Sequence, residues 1–162
     1  MVHYAVLANP GHNRVYFEQS GGLSLAELEV ALGRFSTPCG EIGGKTIAGI
    51  PYVTFAAEAP LSPADLARLS RLSFLYALFV EEGREDAPRL LPVALPDTAN
   101  LPPEVSRILK YTGKTNELFT RLMINIALNS GAYADEPLPR LLDPVAGRGT
   151  TLFEALVWGC SA

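Results

Sequence analysis

Apolar residues recur along this chain with two different periods, and the switching between them predicts its elements. Tyr4 to Ala8 is a short β-rich run closed by the turn residues Asn9-Pro10-Gly11. A second short run, Val15 to Glu18, precedes Ser20-Gly21-Gly22. Ser24 with Glu27 three residues later reads as a capping box, and Leu25, Leu28, Leu32 and Phe35 follow at helical spacing. Gly33 and Pro38 mark that helix's end. Ile42 to Ile50 and Tyr52 to Ala57 predict two strands, the first weakened by glycines. Ser62-Pro63 opens another helix, whose apolar face is Leu66, Leu69 and Leu72. Phe74 to Val80 is nearly unbroken apolar sequence, which predicts a strand buried on both faces or central in a sheet. Glu81 to Asp86 reads as a charged loop. Leu90 to Leu95 then adds a strand that Pro92 confines to an edge.

The order strand, helix, two strands, helix, strand predicts an α+β, ferredoxin-like N-terminal domain over residues 1–96. A linker and turn over 97–115 lead into 116–162, read as the start of a Rossmann-like α/β domain with its first strand and helix. In that half, Leu118, Phe119, Leu122, Met123, Ile126 and Ala127 share one helical face. Thr115 or Asn116 can cap this helix and Ser130-Gly131 ends it, with Asn125 and Asn129 on its polar, surface side.

Residues 139–158 carry the densest signal. Leu141 and Leu142 can end a buried strand, Asp143-Pro144 stops it, and Gly147 and Gly149 let the backbone turn sharply beside a ligand. Thr150 or Thr151 can cap a helix whose first turn carries Glu154. Such a turn aims backbone N–H groups at the carboxyl end of the strand, where open α/β sheets bind ligands. A phosphate loop requires a lysine after the last glycine, and Thr150 stands there instead. A dinucleotide fingerprint requires a third glycine, and the run reaches Leu152 without one. A nucleoside carrying an amino acid remains, beside an ordinary strand-to-helix turn that happens to hold two glycines.

Asp143-Pro144-Val145-Ala146-Gly147-Arg148-Gly149-Thr150-Thr151-Leu152-Phe153-Glu154-Ala155 resembles the first motif of S-adenosylmethionine-dependent methyltransferases, and most closely those that methylate amino groups of nucleic-acid bases. The resemblance implies that Asp143, Pro144, Ala146, Gly147, Gly149, Thr150 and Thr151 face the methionine half of the cofactor. Lys110-Tyr111-Thr112-Gly113-Lys114-Thr115-Asn116 is similar to the segment just upstream of that motif in transfer-RNA guanosine-N2 methyltransferases, which implies cofactor contacts for Tyr111, Gly113, Lys114, Thr115 and Asn116. A solvated linker is the bland reading of Lys110 and Lys114. Members of that group carry a ferredoxin-like domain ahead of the methyltransferase domain. The chain departs from them in lacking space for an RNA-binding module between Leu95 and Lys110. It also lacks the Asn/Asp-Pro-Pro-aromatic loop that orients the target amine, so no catalytic residue is assigned.

Composition bounds these readings. Apolar residues make up 48% of 162 positions, enough for a buried core. Acids outnumber bases 17 to 13, for a net charge of −4, so nucleic acid is not held by the overall field. Arg107, Lys110, Lys114 and Arg121 allow a local basic patch, against the simpler reading of a solvated linker face. Cys39 and Cys160 are too few and too distant for a disulfide framework or zinc site, and His3 and His12 have no metal-ligand spacing. The N-terminus lacks the plan of a secretion signal, which implies a reduced, cytoplasmic setting with no membrane partner.

Two function classes follow. One is the N-terminal portion of an S-adenosylmethionine-dependent methyltransferase acting on an exocyclic amine of a nucleic-acid base, with RNA, transfer-RNA guanine above all, favoured over DNA. The other is a non-catalytic RNA- or protein-binding ferredoxin-like module with a vestigial cofactor motif. A strand-helix-strand unit takes about 30 residues or more. Phe153, Leu156, Val157 and Trp158 are therefore expected to face a sheet supplied from beyond Ala162, or by self-association with another chain.

Overall fold

The computed structural model describes residues 1–10, 17, 19–84, 87–107, 112–132, 136 and 139–162. It is an α+β structure in two compact units, Met1–Pro96 and Asp97–Ala162. Among the described residues it holds one five-stranded antiparallel sheet and four α-helices.

The first unit runs β1 (Val2–Ala8), α1 (Gly21–Leu32), β2 (Cys39–Ile47), β3 (Ile50–Ala57), α2 (Pro63–Ser70), β4 (Leu75–Arg84) and β5 (Ala87–Val93). The strands lie in the order β2-β3-β1-β4-β5, each antiparallel to its neighbours. β1 is the central strand and is buried on both faces at Tyr4, Ala5 and Val6: Tyr4 lies opposite Phe55 on one side and Val80 on the other, and Val6 opposite Val53 and Leu78. Tyr4 and Phe55 stack with ring centroids 5.1 Å apart. Leu28, Ala31 and Leu32 of α1 and Leu69 of α2 join Tyr4, Val6, Phe55 and Leu78 in one core, so both helices cover the same sheet face. The Tyr4 hydroxyl accepts the Leu61 N–H at 3.1 Å, tying the entry of α2 to the central strand.

Several expectations are corrected here. β4 is second from the edge rather than central, and only one face enters the core: Leu78 is 1% exposed with Val80 packed beside it, whereas Phe79 on the other face is half-buried and Tyr76, where the register shifts, is 65% exposed. Its apolar run disguised a one-sided strand because its outward positions are apolar too. The strand also continues through Glu81, Glu82 and Arg84, so the charged segment is mostly paired strand, with Glu82 opposite Arg89. The Ser24 capping box does not exist. α1 starts at Gly21, which puts Ser24 and Glu27 in its buried stripe, and the Glu27 carboxylate accepts both the N–H and the hydroxyl of Ser73. The run Val15 to Glu18 lies outside the described residues except Phe17, which is helical, and His12 lies outside them too.

Elsewhere local chemistry explains the path directly. Ser62 caps α2 in a capping box with Asp65, with proline at the first position. β2 and β3 join through a two-residue turn with positive φ at Ala48 (50°) and Gly49 (82°), which corrects the expected strand Ile42–Ile50: the first strand ends at Ile47 and Ile50 belongs to the second. β5 is an edge strand, as Pro92 requires.

The second unit contains a 3₁₀ turn (Pro103–Arg107), α3 (Glu117–Ser130) and α4 (Thr150–Val157). Asn116 caps α3, its side-chain oxygen accepting the N–H groups of Leu118 and Phe119 at 2.9 and 3.1 Å. The buried face of α3 differs from the expected one. It buries Thr120, Arg121, Leu122, Ile124 and Asn125, whereas Met123 is 56% exposed and Ala127 is exposed. Asn125 is thus an interior residue. The apolar spacing misled because α3 directs a polar pair, Arg121 and Asn125, inward.

Candidate ligand turn at residues 143–152

The glycine turn is held at both ends. Before it, Arg140 makes an isolated parallel bridge to Ser161, with Leu141 N–H donating to the Ser161 carbonyl at 2.8 Å and Ser161 N–H to the Pro139 carbonyl at 3.0 Å. The segment entering the turn and the one leaving α4 therefore run side by side in the same direction. No longer strand forms there, and Leu142 is 88% exposed, which overturns the expected buried strand end at that residue.

Inside the turn, the Asp143 carboxylate accepts the Val145 N–H at 3.0 Å, and the Gly149 N–H donates to the Ala146 carbonyl at 2.7 Å. Gly147 and Gly149 both adopt left-handed backbone, with φ of 57° and 85°. A side chain at Gly147 would meet nothing nearer than 3.9 Å, so that glycine borders open space, whereas one at Gly149 would touch the Phe153 ring at 3.5 Å. Gly149 itself is the N-cap of α4 and supplies no side-chain bond. This corrects the expected threonine cap and the expected first-turn Glu154: Thr150 is the first helical residue and is buried, with Thr151 half-buried beside it, and Glu154 falls in the second turn. Thr151 and Leu152 sit in the first helical turn, where the helix supplies no acceptor for their N–H groups. Asp143 and Ala146 are half-buried, and Pro144 and Gly147 are exposed.

The upstream segment serves the fold visibly. Lys114 donates to the Ser106 carbonyl at 2.7 Å and to Glu117 at 2.6 Å, and its side chain is 11% exposed. Glu117 titrates below the usual carboxylate range: burial opposes this, and the Lys114 bond and charge outweigh it. Gly113 takes a left-handed φ of 81° and is exposed, as is Thr115. Tyr111 lies outside the described residues, as does Lys110.

Sequence reasoning missed a buried polar cluster in this unit. Glu154 is 0% exposed and Arg121 8%; Arg121 Nε donates to Glu154 Oε2 at 3.2 Å. The Trp158 indole N–H donates to the same oxygen at 3.2 Å, and the Arg121 guanidinium lies 4.6 Å from the Trp158 ring centre. Arg121 is therefore neither linker charge nor part of an exposed basic patch. Val157 and Trp158 are buried rather than left facing an absent sheet. The available signal was Arg121 and Asn125 at one-turn spacing beside Ile124 and Leu128, a mixed stripe.

A cavity of about 230 Å³ lies in the first unit between Pro38–Glu41 and Ala56–Glu58 and contains none of the expected site residues. Cys39 borders it with a thiol whose pKa is raised by burial and then by Asp65, the opposite of nucleophile activation. Among the described residues, no three His, Cys, Asp or Glu side chains cluster as metal ligands, and no helix is long and apolar enough to cross a membrane. No family model, curated protein or solved structure matches the chain.

Proposed function

We propose that residues 97–162 carry the methionine-binding end of an S-adenosylmethionine site, belonging to a methyltransferase for an exocyclic amine of a nucleic-acid base, with RNA favoured over DNA. The observation that carries this reading is the left-handed pair Gly147 and Gly149, set between a parallel-paired segment and the first turn of α4. Open space beside Gly147 suits a close-approaching ligand, and the first-turn amides of Thr151 and Leu152 suit a carboxylate. The half-buried Asp143 carboxylate suits an ammonium group, having given one oxygen to Val145. The bound cofactor would supply an electrophilic methyl group; this chain's residues bind and orient its amino-acid end.

Lys114 and Arg121 are engaged inside the unit, so contacts to nucleic-acid phosphate in this reading come from other residues. The strand order β2-β3-β1-β4 with two helices on one face supports a ferredoxin-like reading of the first unit, extended by β5. Titration calorimetry of S-adenosylmethionine and S-adenosylhomocysteine into the chain tests the site. Saturable binding with amide shifts centred on 143–152 is expected; absence of binding to both ligands overturns the proposal.

A further inference from the structure

The bonds at the entry of the glycine turn and inside it do not by themselves orient the helix that follows it. Two of its residues have glycine's backbone freedom, its helix cap offers no side-chain bond, and α4 is only eight residues long, too short to persist without packing. α4 packs on α3 and on the 3₁₀ turn, and the Asn100 N–H donates to the Val157 carbonyl at 2.6 Å; within this packing α3 contributes one buried charged contact, a fork in which Arg121 Nε and the Trp158 indole N–H meet at Glu154 Oε2. Glu154 lies in the second turn of α4, five residues past Gly149, and Arg121 lies five residues past the cap Asn116. Trp158 closes the cluster, donating to Glu154 and receiving the guanidinium on its face. Ile124, Ala155 and Cys160 pack beside it as an apolar cluster, with Leu128 and Leu141 against them. A buried ion pair contributes little net stability compared with apolar residues of equal size, so its value must be sought in the geometry it imposes.

We propose that Arg121 and Glu154 are positioning residues for the ligand turn. Their fork sets the rise and rotation of α4 on α3, and so aims the first-turn amides of Thr151 and Leu152 at the ligand. This inference rests on the cofactor reading above. Arg121 and Glu154 do not touch the ligand; they act through α4. Trp158, the only tryptophan, reports the fork's state directly.

The test compares the chain with the double variant Arg121→Met/Glu154→Leu, which replaces the pair by apolar groups of similar length. Melting temperature, calorimetric affinity for S-adenosylmethionine and Trp158 emission are read together. A melting temperature within a few degrees of the parent is expected, with affinity weakened about tenfold or more and loss of the ligand-induced change in Trp158 emission. A folded double variant that keeps parental affinity overturns the positioning role and leaves the cofactor reading standing. Failure of the parent itself to bind overturns the cofactor reading, and this inference with it. If the double variant does not fold, Glu154→Gln, which keeps shape and one acceptor, decides by the same split between affinity and melting temperature.

Discussion

The Ser36 backbone N–H donates to Asp65 Oδ1 at 2.8 Å across 29 residues of sequence. The other carboxylate oxygen accepts the Thr37 hydroxyl at 2.8 Å and the Ser62 hydroxyl at 2.8 Å. One buried acid thereby caps α2 and pins the chain between α1 and β2.

That arrangement makes stability acid-sensitive. Burial works against ionisation of Asp65, but the bonds from the Ser36 amide and from the Ser62, Thr37 and Ser36 side chains outweigh it and hold the pKa at about 2, against 3.8 ordinarily. A depressed folded-state pKa stabilises above the unfolded value and is lost as pH falls, here between about 4 and 2. The contribution is about 2 kcal/mol. Asp65→Asn should remove this part of the acid dependence and weaken the fold at neutral pH by about 1–3 kcal/mol. Urea unfolding at pH 7 and pH 3 measures both; parallel losses in parent and variant would contradict the assignment.

Tyr4→Phe keeps the stack on Phe55 but strands the Leu61 N–H. A cost of about 1–2 kcal/mol is expected, chiefly from the buried unsatisfied donor. Phe55→Ala, which empties a fully buried site, should cost about 3–5 kcal/mol. Denaturant midpoints rank the two.

Ala48 occupies left-handed backbone in the β2–β3 turn, where asparagine fits better. Ala48→Asn is expected to stabilise the first unit by about 0.5–1 kcal/mol, seen as a raised melting temperature. A lowered one would mean that the turn does not adopt this geometry in solution.

Pro88 and Pro92 pair with Gly83 and Phe79, so the donors facing β4 come from Arg89, Leu91 and Val93. On the outer side of β5 only Leu90 retains an N–H, which protects that edge from further pairing. Pro88→Thr/Pro92→Thr restores two donors on that edge and is expected to promote concentration-dependent self-association relative to the parent. Sedimentation velocity over a concentration series would detect it.

Gly147→Val meets no steric wall, and its left-handed backbone should cost about 1–2 kcal/mol of stability. Under the proposed function the same side chain fills the space next to the ligand and abolishes S-adenosylmethionine binding. Circular dichroism separates folding from affinity; a folded variant with parental affinity places the site elsewhere.

Elements with strong local signals are legible in the sequence. Ser62-Pro63 marks its helix start because cap and proline act within one turn, and Pro92 marks an edge because a missing donor cannot serve a central ladder. Ser24-Glu27 failed because the spacing of a capping box also fits two turns of a buried helical stripe. The α3 stripe failed because spacing identifies two faces but not which one the tertiary fold buries. In the candidate site, the two glycines and the helix behind them were legible. The Arg121–Glu154 fork was not, since it joins residues 33 apart.

Sequence by itself determined the cap at Ser62, the edge position of the strand holding Pro92, the helix start near Asn116 and the glycine bend, because each depends on neighbours within a few residues. Only tertiary structure decided that β1 is central, that Glu27, Asp65, Arg121 and Glu154 are interior, and that residues 139–141 meet Ser161 in parallel. Those outcomes turn on which faces meet across long loops. A buried charge is tolerable only where a distant partner completes its hydrogen bonds, and no local pattern names that partner.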